Sequence, residues 1–225
     1  MRKSTRTRLA LALLFLLPSS ALWAKTTKAE AQKEVADAGQ TLDNFAADPD
    51  MNWFREHARE ARGLFICHQI VKAGFIIGGS GGRCVLVVKG EKSWQGPAFY
   101  TIGTASAGFQ AGVQDSELIG LVMTQKAIDS LMSNAFKAGG DASVAVGPVG
   151  VGAAATPNAD VVFYSRSKGV YGGVDISGAV IKPSGDYNRA YYGKAVSPID
   201  IIVRGSVHPS PAPELMKKVT KLYGK

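Results

Sequence analysis

Glycine is spread so unevenly along this chain that it divides the sequence into regions of different structure. Of the 26 glycines, 23 lie between Gly63 and Gly193, and only Gly39 precedes them. A residue without Cβ weakens helix and strand interiors and belongs where φ is positive or where backbones approach closely. The glycine-dense body is therefore expected to be sheet and turns, and the glycine-poor front to be helical. In that front Val35, Leu42 and Phe45 recur at helical spacing among Lys, Glu, Gln and Ala, which predicts an amphipathic helix over 27–46. Asp48-Pro49-Asp50 ends it, and Met51, Phe54 and Ala58 mark one face of a shorter second helix.

From Gly63 onward, short β-branched and aromatic runs alternate with glycine. Strands are expected at 64–67, 74–77, 84–88, 99–102, 107–113, 118–124, 142–146, 161–165 and 172–181. The segment Gly78-Gly79-Ser80-Gly81-Gly82 reads as a hairpin loop, because glycine supplies positive φ. A helix over 125–136 carries Ile128, Leu131, Met132 and Phe136 on one side. Too few helices separate the strands for a doubly wound parallel sheet. The expected class is α+β: a curved, mostly antiparallel, glycine-rich β-sheet or barrel-like core, with N-terminal helices and one or two further helices packed on it. After a Pro-rich tether at 208–213, Leu215, Val219 and Leu222 recur at helical spacing beside four lysines. This tail suits either an anionic bilayer surface or docking on the sheet.

The first 24 residues read as a secretory signal peptide: Arg2, Lys3, Arg6 and Arg8, an apolar run over 9–17, then small residues, with cleavage expected after Ala24 and a second small-x-small site at Ala21. Nine apolar residues fall short of the ~20 a spanning helix needs. The full chain carries a charge of +8; without those four cations, 22 basic residues face 18 acidic ones, a charge of +4. That weakens a nucleic-acid reading. The expected organisation is a signal peptide at 1–24, a helical segment at 25–62, a β-rich body at 63–205 and a tether with a basic amphipathic tail at 206–225. The expected location is periplasmic or secreted, peripheral at a membrane.

Several chemistries are tested by spacing. Gly78-Gly79-Ser80-Gly81-Gly82 matches G-x-S-x-G, but a nucleophile elbow needs a strand turning into a helix, and strand-like residues follow Ser80. Cys67 and His68 are adjacent on one expected strand and point to opposite faces, so they form no thiolate pair. In an exported chain with two cysteines, a Cys67–Cys84 disulfide between neighbouring strands is expected. No His/Cys pair has zinc-ligand spacing, no P-loop occurs, and the 147–152 glycine run lacks the dinucleotide-binding setting. Neither catalytic residues nor a metal or cofactor is expected. What remains are cations on a glycine-rich surface, among them Lys72, Arg83, Lys89, Lys92, Arg166, Lys168, Lys182 and Arg189. Arg166-Ser167-Lys168-Gly169 is a turn whose two cations, hydroxyl and amides suit a phosphate.

The body resembles the SYLF domain, the Ysc84-type actin-binding or lipid-binding domain. The resemblance rests on Ala61-Arg62-Gly63-Leu64-Phe65-Ile66, Val71-Lys72-Ala73-Gly74-Phe75-Ile76-Ile77-Gly78-Gly79, Cys84-Val85-Leu86-Val87 and Trp94-Gln95-Gly96-Pro97-Ala98-Phe99. It continues through the run at 139–150 and through Tyr164-Ser165-Arg166-Ser167-Lys168-Gly169-Val170-Tyr171-Gly172-Gly173-Val174. It implies a non-enzymatic lipid-binding module. Members of the family bind phosphoinositides and, in fungal cortical proteins, actin. The signal peptide places this chain with an exported bacterial branch, for which anionic envelope phospholipid is the expected ligand and actin is not carried over. Lys72, Arg166 and Lys168 are the residues the resemblance names, and Arg83 and Arg189 join them as basic candidates. The competing expectation is a structural or protein-interaction module of the envelope; a serine hydrolase using Ser80 stands third.

Overall fold

The computed structural model describes residues 25–147, 158–167, 176, 178–209 and 213–224. The expected signal peptide, Lys168, most of the 147–152 glycine run, part of the 172–181 strand and the middle of the tether lie outside the described residues.

Helix α1 (Lys28–Ala47) begins at a capping box: the Glu30 amide donates to the Thr27 hydroxyl, and the Glu30 carboxylate accepts from the Thr27 amide. Two otherwise orphaned donors are thereby satisfied. Its buried face carries Ala31, Val35, Ala38, Leu42 and Phe45, the stripe the spacing predicts. Helix α2 (Asn52–His57) follows and buries Trp53 and Phe54.

The body is dominated by two very long strands, β1 (Gly63–Lys89) and β2 (Trp94–Val122), paired antiparallel from Lys89 opposite Trp94 to Gly63 opposite Val122. A tight turn joins them, in which the Gly90 amide donates to the Ser93 carbonyl. Here the structure corrects the sequence reading. Gly78 to Gly82 form no loop; they run mid-strand in β1, paired with Ser106 back to Ile102 of β2. The hairpin as a whole doubles over, so that the 63–70 limb of β1 lies against its own 82–89 limb. The Lys89 amide donates to the Arg62 carbonyl at 2.7 Å, and Cys67 and Cys84 are joined with Cα atoms 4.1 Å apart. The expected disulfide is thus present, yet it links two limbs of one strand. Glycine is needed for close approach: a Cβ on Gly82 would stand 2.1 Å from the Gln69 carbonyl oxygen.

Strands β3 (Phe136–Lys137), β4 (Val144–Val146), β5 (Val161–Ser167) and β6 (Val180–Pro183) complete a sheet ordered β3-β6-β2-β5-β4, with β1 against β2. All its pairings are antiparallel except β4 with β5. With β1 and β2 folded double, the sheet curls into a half-barrel, and the class is α+β. Helix α3 (Gln125–Leu131), capped by the Thr124 hydroxyl, is shorter than expected: Phe136 lies in β3 opposite Ile181. Helix α4 (Gly185–Tyr192) and a π-helical turn (Ile199–Val203) follow β6.

Where the two limbs of β1 meet, both faces of the sheet are buried. Phe65, Cys67, Leu86, Tyr100, Leu118 and Phe163 form an inner core with α3 and the π-helical turn. Their neighbours Leu64, Ile66, Val85, Val87, Phe99 and Ile119 form an outer core with α1, α2 and the last helix, α5 (Glu214–Tyr223). A strand sandwiched on both faces reads as a continuous apolar run, which is what 64–67 and 84–88 are. Of the two readings of the tail, the structure shows docking: Leu215, Val219 and Tyr223 are buried, and Lys218 pairs with Asp43 of α1.

Candidate anion-binding surface and neighbouring clefts

Residues paired across a sheet point to the same face, so register alone assembles a cationic row. Arg83 of β1 stands opposite Thr101 of β2, and Thr101 stands opposite Lys182 of β6. All three are exposed. They share the outer face with Val85 and Phe99, just past the edge of the helical cover. The Arg83 guanidinium lies over the Tyr187 ring of α4, 4.7 Å from its centroid, a cation–π contact that fixes the arginine without neutralising it. In the next row on this face Gly81 stands opposite Gly103 and presents no side chain, with Val180 of β6 on the far side of Gly103. Arg189, also on α4, is exposed and paired with Asp186 at 3.1 Å.

The other candidates are placed differently. Lys72 is half-buried on β1 opposite Gln114. Arg166 of β5 is bound to two carboxylates, Asp48 and Glu117, each at 3.1 Å. Thr41 and Asn44 of α1 donate to the same Glu117, so the cluster ties α1 to β2 and β5, and the Arg166 charge is matched locally. Lys168 lies outside the described residues. Thr101 and Tyr187 are therefore the additions that structure makes to the sequence-derived cations, and register is what sets Lys182 beside Arg83. No local pattern carries that register.

Ser80 sits mid-strand with its hydroxyl 2.7 Å from that of Thr104, without the strand-to-helix turn a nucleophile elbow requires. His68 points away from Cys67, as alternation requires, and meets α1: its Nδ1 is 2.9 Å from Glu34, a buried carboxylate, with Asp37 3.7 Å from Nε2. The hydrogen bond to Glu34 raises the His68 pKa above its ordinary value, outweighing partial burial. Among the described residues no group of three or more His, Cys, Asp or Glu is placed to hold a metal ion, and no helix is long and apolar enough to cross a membrane.

These features define an α+β half-barrel domain with a helix-covered outer face and a cationic row along one exposed margin. The family model described as Ysc84, a Las17-binding protein actin regulator, matches residues 103–222. The chain is 31% identical over 169 residues to LAS seventeen-binding protein 3 of Saccharomyces cerevisiae, covering 72% of this chain and 36% of that protein. It is 28% identical over 162 residues to human SH3 domain-containing YSC84-like protein 1, covering 69% and 47% respectively. No solved structure matches. The chain belongs to the Ysc84, or SYLF, family, and it spans between about a third and a half of the length of these relatives.

Proposed function

We propose that the protein binds anionic phospholipid surfaces peripherally, after export directed by residues 1–24, and that the row of Arg83, Thr101 and Lys182 with Arg189 and Lys72 makes the contact. The observation that carries this reading is the row itself: among the described residues no ion pair reaches Arg83 or Lys182, and a flat glycine pair lies beside them. Each Lys or Arg near an anionic surface contributes about 1 kcal/mol, so a handful gives moderate, salt-sensitive binding. Membership of the family supports a binding module over a catalyst.

Vesicle flotation tests the reading. Vesicles rich in anionic lipid are expected to carry the protein at low salt, and neutral vesicles are not. Arg83→Glu with Lys182→Glu should weaken vesicle binding at least about thirtyfold, since two lost cations at about 1 kcal/mol each already give that factor and the new carboxylates add repulsion. Equal recovery with both vesicle types, or none with either at low salt, overturns the reading. Arg166 is the wrong residue for this test, because its replacement also removes the cation that Asp48 and Glu117 share.

The relatives' names favour a second reading, a protein-interaction module, since they describe Las17-binding and actin-regulating proteins. Flotation unchanged by the Arg83/Lys182 double reversal, at any lipid composition, supports that alternative.

A further inference from the structure

A cleft distinct from the cationic row lies where α5 crosses the β1–β2 turn. Two faces of α5 have different employment. Leu215, Val219 and Tyr223 are spent on the outer core. Met216, Lys217, Thr220 and Lys221, spaced i, i+1, i+4 and i+5, form the adjoining flank and line an open cleft of about 520 Å³. That volume is within the range of small-molecule sites.

The floor is apolar and fixed. Trp94 is 4% exposed, and its indole N–H is used up by the Gly224 carbonyl at 2.6 Å, so the small part of it that lines the cleft is apolar. Met216 and Pro209 extend that floor. The rim is basic: Lys217 and Lys221 stand one helical turn apart, and His208 faces them. Among the described residues no carboxylate lines the cleft. Beside the rim Glu214 pairs with Lys217 at 2.6 Å, with both side chains largely exposed. Such a pair is weak, which leaves the ammonium able to turn to a better anion. Neighbours at i and i+4 on a helix lie close enough for one anionic head to accept from both lysines.

We propose that this cleft binds a single-chain anionic amphiphile, an acyl or alkyl chain lying on Trp94 and Met216 with its phosphate or carboxylate head between Lys217 and Lys221. The site takes one molecule from solution and needs no bilayer, so it stands whether or not the protein binds membranes.

The test is calorimetric titration of the full chain with decyl phosphate below its micelle-forming concentration, against decyltrimethylammonium and inorganic phosphate. Saturable one-to-one binding of decyl phosphate is expected, with the other two at least about tenfold weaker, because each lacks one of the two recognised features. Lys217→Glu with Lys221→Glu should weaken decyl phosphate about tenfold or more, and the milder Lys217→Gln with Lys221→Gln should weaken it less. An unchanged thermal midpoint in the Gln pair separates lost binding from lost folding. Arg83→Glu with Lys182→Glu should leave this affinity intact, which keeps it separate from vesicle binding. The proposal is overturned if the cationic amphiphile binds as well, if phosphate alone binds equally, or if neither lysine pair alters affinity.

Discussion

The two halves of the β1–β2 hairpin share one ladder of backbone pairs but differ in nearly everything else. At the base, where 63–70 lies against 82–89, the side chains of 64–67 and 84–88 are buried on both faces and a disulfide crosses between the limbs. Further out, Val71 is 39% exposed, Lys72, Ser80 and Thr104 are half-buried, and the paired residues are largely glycine and alanine. A continuous hydrogen-bond ladder therefore does not imply uniform stability. Net hydrogen-bond gains are modest against water, so apolar burial decides which part of the ribbon holds the fold. The outer ribbon is displayed by the base.

Four measurements break or sharpen that contrast. Replacing both cysteines, Cys67→Ala with Cys84→Ala, frees a loop of 17 residues and should cost about 3 kcal/mol in urea unfolding. A loss under about 0.5 kcal/mol would show that packing alone holds the doubled strand. Gly82→Ala puts a methyl group into the Gln69 carbonyl and the Ile70 side chain, and a loss of about 1–3 kcal/mol is expected from forced overpacking. His68 should give a smaller, pH-dependent effect. Its folded pKa is raised by Glu34, so its contribution is complete below the ordinary value of about 6.5 and is lost as pH rises through the folded value. Stability compared at about pH 6 and about pH 9 should fall more in the native chain than in His68→Gln; identical slopes would remove His68 from the account. Gly103→Ala belongs to the displayed ribbon. Its added Cβ finds only the Ser80 carbonyl, at 3.9 Å, so a change within about 0.5 kcal/mol is expected. A loss matching that of Gly82→Ala would erase the distinction between base and ribbon.

The same contrast explains what could be read from sequence. Helices α1 and α5 and the runs at 64–67 and 84–88 were legible, because each is set by a local period that burial preserves. The disulfide was legible from cysteine arithmetic. The glycine cluster at 78–82 misled, since glycine serves both turns and close approach, and local chemistry cannot tell them apart. None of Gly78, Gly79, Gly81 or Gly82 has a positive φ; that conformation is found instead at Gly96, Gly139, Gly178, Gly193, Gly205 and Gly224. At the candidate site, Arg83 was visible as an isolated cation, while its alignment with Lys182, 99 residues further on, depended on two successive pairings through Thr101. Arg166 looked like a free turn cation because Asp48 and Glu117 lie 118 and 49 residues away.

The docking of α5 sets a timetable for synthesis. Lys218 reaches back 175 residues to Asp43, and Gly224 reaches 130 to Trp94, so α5, made last among these elements, is needed by some of the first. At ribosomal rates of about 5–20 residues per second, the interval between completing α1 and completing α5 is on the order of ten seconds. Through that interval the part of α1 that α5 will cover stays open to water, and the nascent chain carries an apolar stripe that a chaperone or a surface can hold.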